Sequence, residues 1–181
     1  MKIMLTNVRL AFPTLFEAKT VNGEGKPAFS ASFLIDPADP QVKAINAAIE
    51  QVAKEKWGAK ADAVLKQLRA TDKVALHDGD LKSNYDGFAG NLYVSARSAV
   101  RPTVIDQARN PLTEQDGKPY AGCYVNVSID LYAQDNNYGK RINASLRGVQ
   151  FVGDGDAFGG GGSASVDEFD VVEGAEADDL V

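Results

Sequence analysis

Aromatic, basic and amide side chains share one face of three candidate strands and the turn between two of them. The set comprises Tyr93, Arg97, Tyr124, Asn126, Tyr132, Lys140, Arg141 and Arg147. In a β-strand, alternate residues point to the same side of the sheet. Aromatic rings stack on nucleobases and cations neutralise phosphates, so this combination favours sequence-tolerant binding to a single-stranded nucleic acid.

The same pattern also arises where no ligand binds. Any half-solvated sheet alternates polar and apolar residues, and tyrosine is common in strands. Asp130 shares the face, and its carboxylate would repel phosphate. The polar face therefore predicts an interface only together with a second observation.

The distribution of charge supplies that observation. Nine of the 25 acids lie in residues 154–181, which hold no Lys or Arg. Residues 1–153 hold all 19 basic residues against 16 acids, so the body is net +3, the tail is −9 and the chain is −6. This asymmetry predicts a partner of high negative charge, with the acidic tail as its competitor or as a separate docking peptide.

Period-two patterns predict the strands that position these residues. The clearest segment runs from Cys123 to Leu131, and Leu92–Arg97, Phe29–Ile35 and Arg141–Arg147 alternate in the same way. The apolar face of the clearest strand consists of Cys123, Val125, Val127, Ile129 and Leu131. A further strand is predicted over Met1–Phe16, a hairpin turn at Asn22-Gly23, and a polar turn over Gln134–Gly139.

Two helices are predicted between the early and late strands. Asp39 is a good N-cap and Pro40 a good first helical residue, while Gly58 is a plausible stop. A shorter helix is predicted over Ala61–Arg69, with Val64, Leu65 and Leu68 facing inward.

These elements predict a mainly β fold with a helical insertion, of the α+β class. The element count fits an OB-fold-like antiparallel five-stranded barrel over residues 1–153. Residues 154–181 are expected to form a Gly-rich linker and a disordered acidic tail. The lone Cys123, the lack of a signal-peptide pattern and the lack of a long apolar run predict a cytoplasmic protein with no membrane contact.

Several short motifs resemble the signature of a phage single-stranded DNA-binding protein family. They are Tyr120–Asn126, Asp135–Lys140, Ile142–Ala144 and Gly148–Gln150, with similarity also at Asn7–Arg9, Pro13–Glu17 and the Phe158–Gly160 exit to the tail. The resemblance covers nearly the whole body. It implies an OB-fold, binding to single-stranded DNA in phage replication or recombination, and no catalytic activity.

The end of the tail departs from one habit of such proteins. Their tails often end in an aromatic residue, whereas this chain ends in Asp178, Asp179, Leu180 and Val181. The acidic-then-apolar order is kept, and it predicts docking to replication or recombination proteins. The sequence leaves open whether the chain forms a homo-oligomer.

Two other functional classes compete with this interpretation. Asp78 and Asp80 are the carboxylates that a metal-dependent nuclease would use, but no third ligand has persuasive spacing and His77 is the only histidine. No P-loop or Ser-His-Asp spacing is present, so we expect no metal, no cofactor and no catalysis. The other class is a phage structural or scaffolding protein whose tail serves assembly.

Overall fold

Two long hairpins form most of the structure. The computed structural model describes residues 1–21, 23–159, 168–172 and 174. Its strands are β1 (Lys2–Val21), β2 (Glu24–Ile35), β3 (Leu76–Asp78), β4 (Leu92–Ser98), β5 (Thr103–Ile105), β6 (Tyr124–Asn136) and β7 (Gly139–Gly153), and its helices are α1 (Gln41–Trp57) and α2 (Ala61–Ala70).

Five of these strands close into a barrel. The sheet order is β3-β4-β2-β1-β6-β7-β5, and an additional pairing of β4 with β7 joins the ends of the five central strands. The pairs β4–β2, β2–β1, β1–β6 and β6–β7 are antiparallel. The closing pair is parallel, with Arg97 opposite Ser145, so the expected barrel is confirmed with one parallel seam. The result is an OB-fold-like architecture with a helical insertion between β2 and β4.

The predicted apolar face of β6 forms the centre of the core. Val125, Val127, Ile129 and Leu131 are all at most 1% exposed, as the alternation requires. Cys123 precedes the strand and is also fully buried. Burial raises the pKa of the Cys123 thiol, so this side chain packs as a small apolar residue rather than reacting.

The two helices begin and end close to where the sequence predicts. Pro40 already has helical dihedral angles, and the Asp39 carboxylate accepts from the Gln41 N–H at 2.9 Å. Helix α1 packs against β1, β6 and β7, and its Trp57 Nε1 donates to Asp135 Oδ2 at 3.0 Å just before the stop at Gly58. This contact ties the insertion to the β6–β7 hairpin.

The hairpins extend further than the sequence predicts. β1 continues to Val21 instead of ending at Phe16. Most of the predicted polar turn over Gln134–Gly139 belongs to the paired strands, because Gln134 lies opposite Arg141 and Asn136 lies opposite Gly139 in the β6–β7 ladder. A two-stranded ribbon with both faces in water needs no apolar face, so polar residues do not end it. The two ribbons stand on either side of a groove.

Candidate nucleic-acid interface

A groove of about 1140 Å³ runs between the two hairpins. One wall comes from β1 and β2, the other from β6 and β7, and β4 contributes residues 95–98. The rest of the lining consists of Lys73, Val74 and Ala75, which precede β3, together with His77, Lys82 and Ala99. Most of the lining thus comes from strands of the closed barrel.

The groove is strongly basic. Its lining contains six cations and one acid: Lys19, Lys26, Lys73, Lys82, Arg97 and Arg141, against Asp130. The Asp130 carboxylate is 2.8 Å from the Met1 ammonium, so its charge is compensated. In residues 1–21, 23–159, 168–172 and 174, none of the six cations forms an ion pair within 4.0 Å. These charges are available to a polyanion.

Three of the predicted site residues meet in this groove. Tyr132 is 45% exposed, and Arg97 and Arg141 are exposed on β4 and β7. The closing β4–β7 seam brings the two arginines to the same surface although they are far apart in sequence. One aromatic ring and two cations are therefore placed together as predicted.

Two predicted residues lie in a separate concavity of about 260 Å³. It contains Asn126 and Arg147 beside residues of β5. Arg141 and Arg147 are six positions apart, so they are separated by roughly 20 Å of strand. A register shift at Ser128/Ile129 adds a bend at this point of the β6–β7 ladder. The Asn126 side chain is already engaged, accepting from the Asn7 N–H and donating to Gln150.

The other two residues of the β6–β7 hairpin lie outside the groove lining. Tyr124 is half-buried, with the Arg9 guanidinium 5.8 Å from its ring centroid. Lys140 is exposed near the hairpin tip, where its backbone lies opposite Asp135 in the β6–β7 ladder.

Tyr93, which the sequence places on the nucleic-acid-binding face, is buried in the structure. Its side chain is 4% exposed and stacks on His77 at 4.9 Å, with Phe88 edge-on at 5.0 Å. Burial, together with nearby Asp72 and Asp78, raises the pKa of the Tyr93 hydroxyl. Alternation in β4 places Tyr93 and Val94 on different faces, but His77 of β3 and Phe88 of the 79–91 loop cover the Tyr93 ring.

The groove margin carries an exposed aromatic pair that the sequence periodicity does not predict. Phe12 lines the groove and is 49% exposed, and its ring meets Tyr85 (45% exposed) edge-on at 5.0 Å. One signal existed: Leu10, Ala11 and Phe12 are three consecutive apolar residues, which one strand cannot bury on a single face. A second signal is Tyr85 itself, an aromatic residue within a polar loop.

The carboxylates of Asp78 and Asp80 accept hydrogen bonds from backbone N–H groups of the 79–91 loop. Asp78 Oδ1 accepts from the Asp80 N–H at 2.9 Å, and Asp80 Oδ1 accepts from the Gly90 N–H at 2.8 Å. His77 Nδ1 lies 2.6 Å from Asp72 Oδ1. Within the part of the chain that the structure describes, no three His, Cys, Asp or Glu side chains are grouped as metal ligands. The two aspartates therefore have a structural task that explains their positions.

Residues 154–159, the first part of the segment expected to form the linker and tail, are held on the body. Phe158 fits beside Gly87 and Leu34, with the Arg9 guanidinium 4.3 Å from its ring centroid. The next N–H, that of Gly159, donates to Asp86 Oδ2 at 3.1 Å. Asp86 is the neighbour of Tyr85, so the chain leaves the body next to the aromatic pair. Asp178, Asp179, Leu180 and Val181 lie outside the described residues.

Comparisons with known proteins point in one direction. A family model described as the ssDNA-binding protein of Enterobacter phage Enc34 matches residues 1–181. A curated relative, putative protein p50 of Acyrthosiphon pisum secondary endosymbiont phage 1, is 51% identical over 100% of this chain and 99% of its own length. Among the residues that the structure describes, no helix is long and apolar enough to cross a membrane.

Solved structures extend the comparison to three dimensions. The single-stranded DNA-binding protein of bacteriophage Enc34 in complex with ssDNA has a TM-score of 0.73 at 28% identity, covering 87% of this chain and 89% of that one. The single-stranded DNA-binding protein gp2.5 of bacteriophage T7 is 16% identical, with a TM-score of 0.56 over 89% of this chain and 91% of that one, which shows a shared fold.

Proposed function

Because this chain belongs to the Enc34 family of phage ssDNA-binding proteins, we propose that it binds and protects single-stranded DNA during phage replication and recombination in the host cytoplasm, without catalysing a reaction. The observation that carries the proposal is the groove, in which six cations and the Tyr132 ring surround a channel open to solvent. No cofactor enters the mechanism.

The groove supports a division of labour between phosphates and bases. Arg97, Arg141 and the lysines of the walls neutralise phosphates and release their counterions. Tyr132 offers a ring face to one base, and every base has a π-face, so no sequence preference is needed. A groove between hairpins admits one flexible strand, whereas in a duplex the base faces are stacked on one another and cannot reach the Tyr132 ring.

The electrostatic part is tested by a matched pair of arginines on β7. We expect Arg141→Ala to reduce the slope of log affinity against log salt by about 0.7, the contribution of one phosphate on a single strand. Arg147→Ala removes the same charge roughly 20 Å away along the strand, in the other concavity. We expect Arg147→Ala to change the slope of log affinity against log salt less than Arg141→Ala does. The measurement is fluorescence anisotropy with labelled oligothymidine from about 50 mM to about 200 mM salt.

Three results of this titration would count against the proposal. A salt-independent affinity would exclude the electrostatic mechanism. Equal slope changes in both arginine variants would place DNA across both concavities rather than in the groove. Tighter binding to duplex than to single strands would contradict the assignment to single-stranded DNA.

The acidic tail has two roles in this proposal: it competes with DNA for the basic groove, and it docks replication or recombination proteins through Asp178, Asp179, Leu180 and Val181. The charge difference of −9 against +3 supports the competition. The packing of Phe158 also supports it, because the tail then starts beside the loop that carries Tyr85. An acidic peptide with an apolar end suits a basic pocket with a hydrophobic floor on the partner.

A further inference from the structure

Phe12 adopts a backbone conformation that its side chain disfavours. Its φ is +48°, in the left-handed region where a Cβ crowds the carbonyl oxygen. The residue lies where the β1–β2 register shifts, between the Ala11–Ser32 and Thr14–Ser30 pairs. A bulge of this kind redirects the side chain that it carries. Glycine is the residue that this position would favour on conformational grounds alone.

Core packing does not explain the strained conformation. The residue before it, Ala11, is 2% exposed, whereas the Phe12 ring remains 49% exposed. The ring rests on Phe88, at 5.7 Å, and meets Tyr85 at 5.0 Å with perpendicular planes. The bulge therefore moves an aromatic ring out of the barrel and leaves half of it in water. Backbone strain of this kind clusters at functional sites.

The loop that carries Tyr85 is held firmly enough to present a ring. Asp80 accepts from Gly90, and the Asn91 amide donates to the Gly87 carbonyl at 2.7 Å. A side chain at Gly79 would collide with the carbonyl of Phe88, so the loop closes tightly there. Phe88 is fully buried and supports both exposed rings.

We propose that Phe12 and Tyr85 form a stacking platform for an unpaired nucleobase at the margin of the groove. The inference rests on the proposed function and extends the binding path beyond Tyr132. Phe12 lines the same groove as Lys82 and Arg97, so a base on the platform has cations within the groove for its neighbouring phosphates. An unpaired base is the occupant that fits, because an aromatic pair beside a cationic channel matches a π-face attached to a charged backbone.

The decisive variant is Phe12→Gly, because it separates binding from stability. Glycine adopts a φ of +48° without strain, which offsets the lost contacts of the ring with Phe88 and Tyr85, so the thermal midpoint is expected to stay close to that of the unchanged protein. Affinity for oligothymidine is expected to fall about 5- to 150-fold, the range for losing one stacked base. Tyr85→Ala should weaken binding similarly, whereas Tyr85→Phe keeps the ring and should bind like the unchanged protein.

An oligonucleotide with abasic sites shows whether the lost contact is to a base. On that ligand, Phe12→Gly and the unchanged protein should bind equally, since only phosphates and sugars remain. A loss of affinity that persists on the abasic ligand would overturn the stacking role. So would full affinity of both Phe12→Gly and Tyr85→Ala for oligothymidine, if Arg141→Ala still weakens binding. If the unchanged protein does not bind oligothymidine at all, it is the proposed function that fails.

Discussion

Replacing Tyr132 with alanine is expected to weaken binding to single-stranded DNA by about 1–3 kcal/mol, the free energy of stacking one base on an aromatic ring. Tyr132 lines the groove and is 45% exposed, with Arg141 and Asn143 lining the same wall. Because its ring packs little against the core, the free energy of unfolding should change by less than about 0.5 kcal/mol. Titration with labelled oligothymidine and thermal unfolding measure the two effects.

Two other tyrosines of the same hairpin serve as controls. Tyr138 is 90% exposed at the hairpin tip and is outside the groove lining, so Tyr138→Ala should leave affinity nearly unchanged. Tyr124 is half-buried against Arg9 and close to Gly155, so Tyr124→Ala should mainly lower stability. If Tyr132→Ala binds like the unchanged protein, or if Tyr138→Ala loses as much affinity, the groove is not where bases stack.

Deleting residues 160–181 is expected to tighten DNA binding on the order of 10-fold at low salt, because a tethered tail has a millimolar effective concentration at its own groove. The deleted stretch contains seven of the nine tail acids and no basic residue. Screening shortens the reach of these charges as salt rises. The gain should therefore shrink between about 50 mM and about 200 mM salt. Full-length and truncated proteins are compared by anisotropy at both salt concentrations.

Two variants identify how the tail acts. In a full-length variant, the seven acids of residues 160–181 are replaced by Asn or Gln. This variant keeps the tail's length, and it should bind DNA as tightly as the truncated protein if charge is responsible. Phe158→Ala keeps the charge but removes the ring that packs beside Gly87 and Leu34, so part of the competition should be lost. Weaker DNA binding after truncation, or unchanged binding at both salt concentrations, would contradict competition and leave the tail as a docking arm.

Local sequence is sufficient to predict which face of a strand is buried and where a helix begins and ends. The alternation from Cys123 to Leu131 fixed which side of β6 is buried, because neighbouring side chains of a strand point to opposite faces. Asp39 and Gly58 set the limits of α1, since capping is decided within a few residues. The charge division between body and tail, from which the polyanionic partner was inferred, is likewise a property of sequence alone.

Tertiary structure decided which polar-face residues share a surface. Alternation assigns a side of the sheet, but it does not say what covers that side or how far apart two residues on it lie. Tyr93 is on the predicted side and is buried by a loop, while Arg147 lies in a different concavity from Arg141 because of the length and bend of β7. Phe12 and Tyr85 come together only through a bulge and a loop that are 73 positions apart, and long-range contacts of this kind leave no period in the sequence.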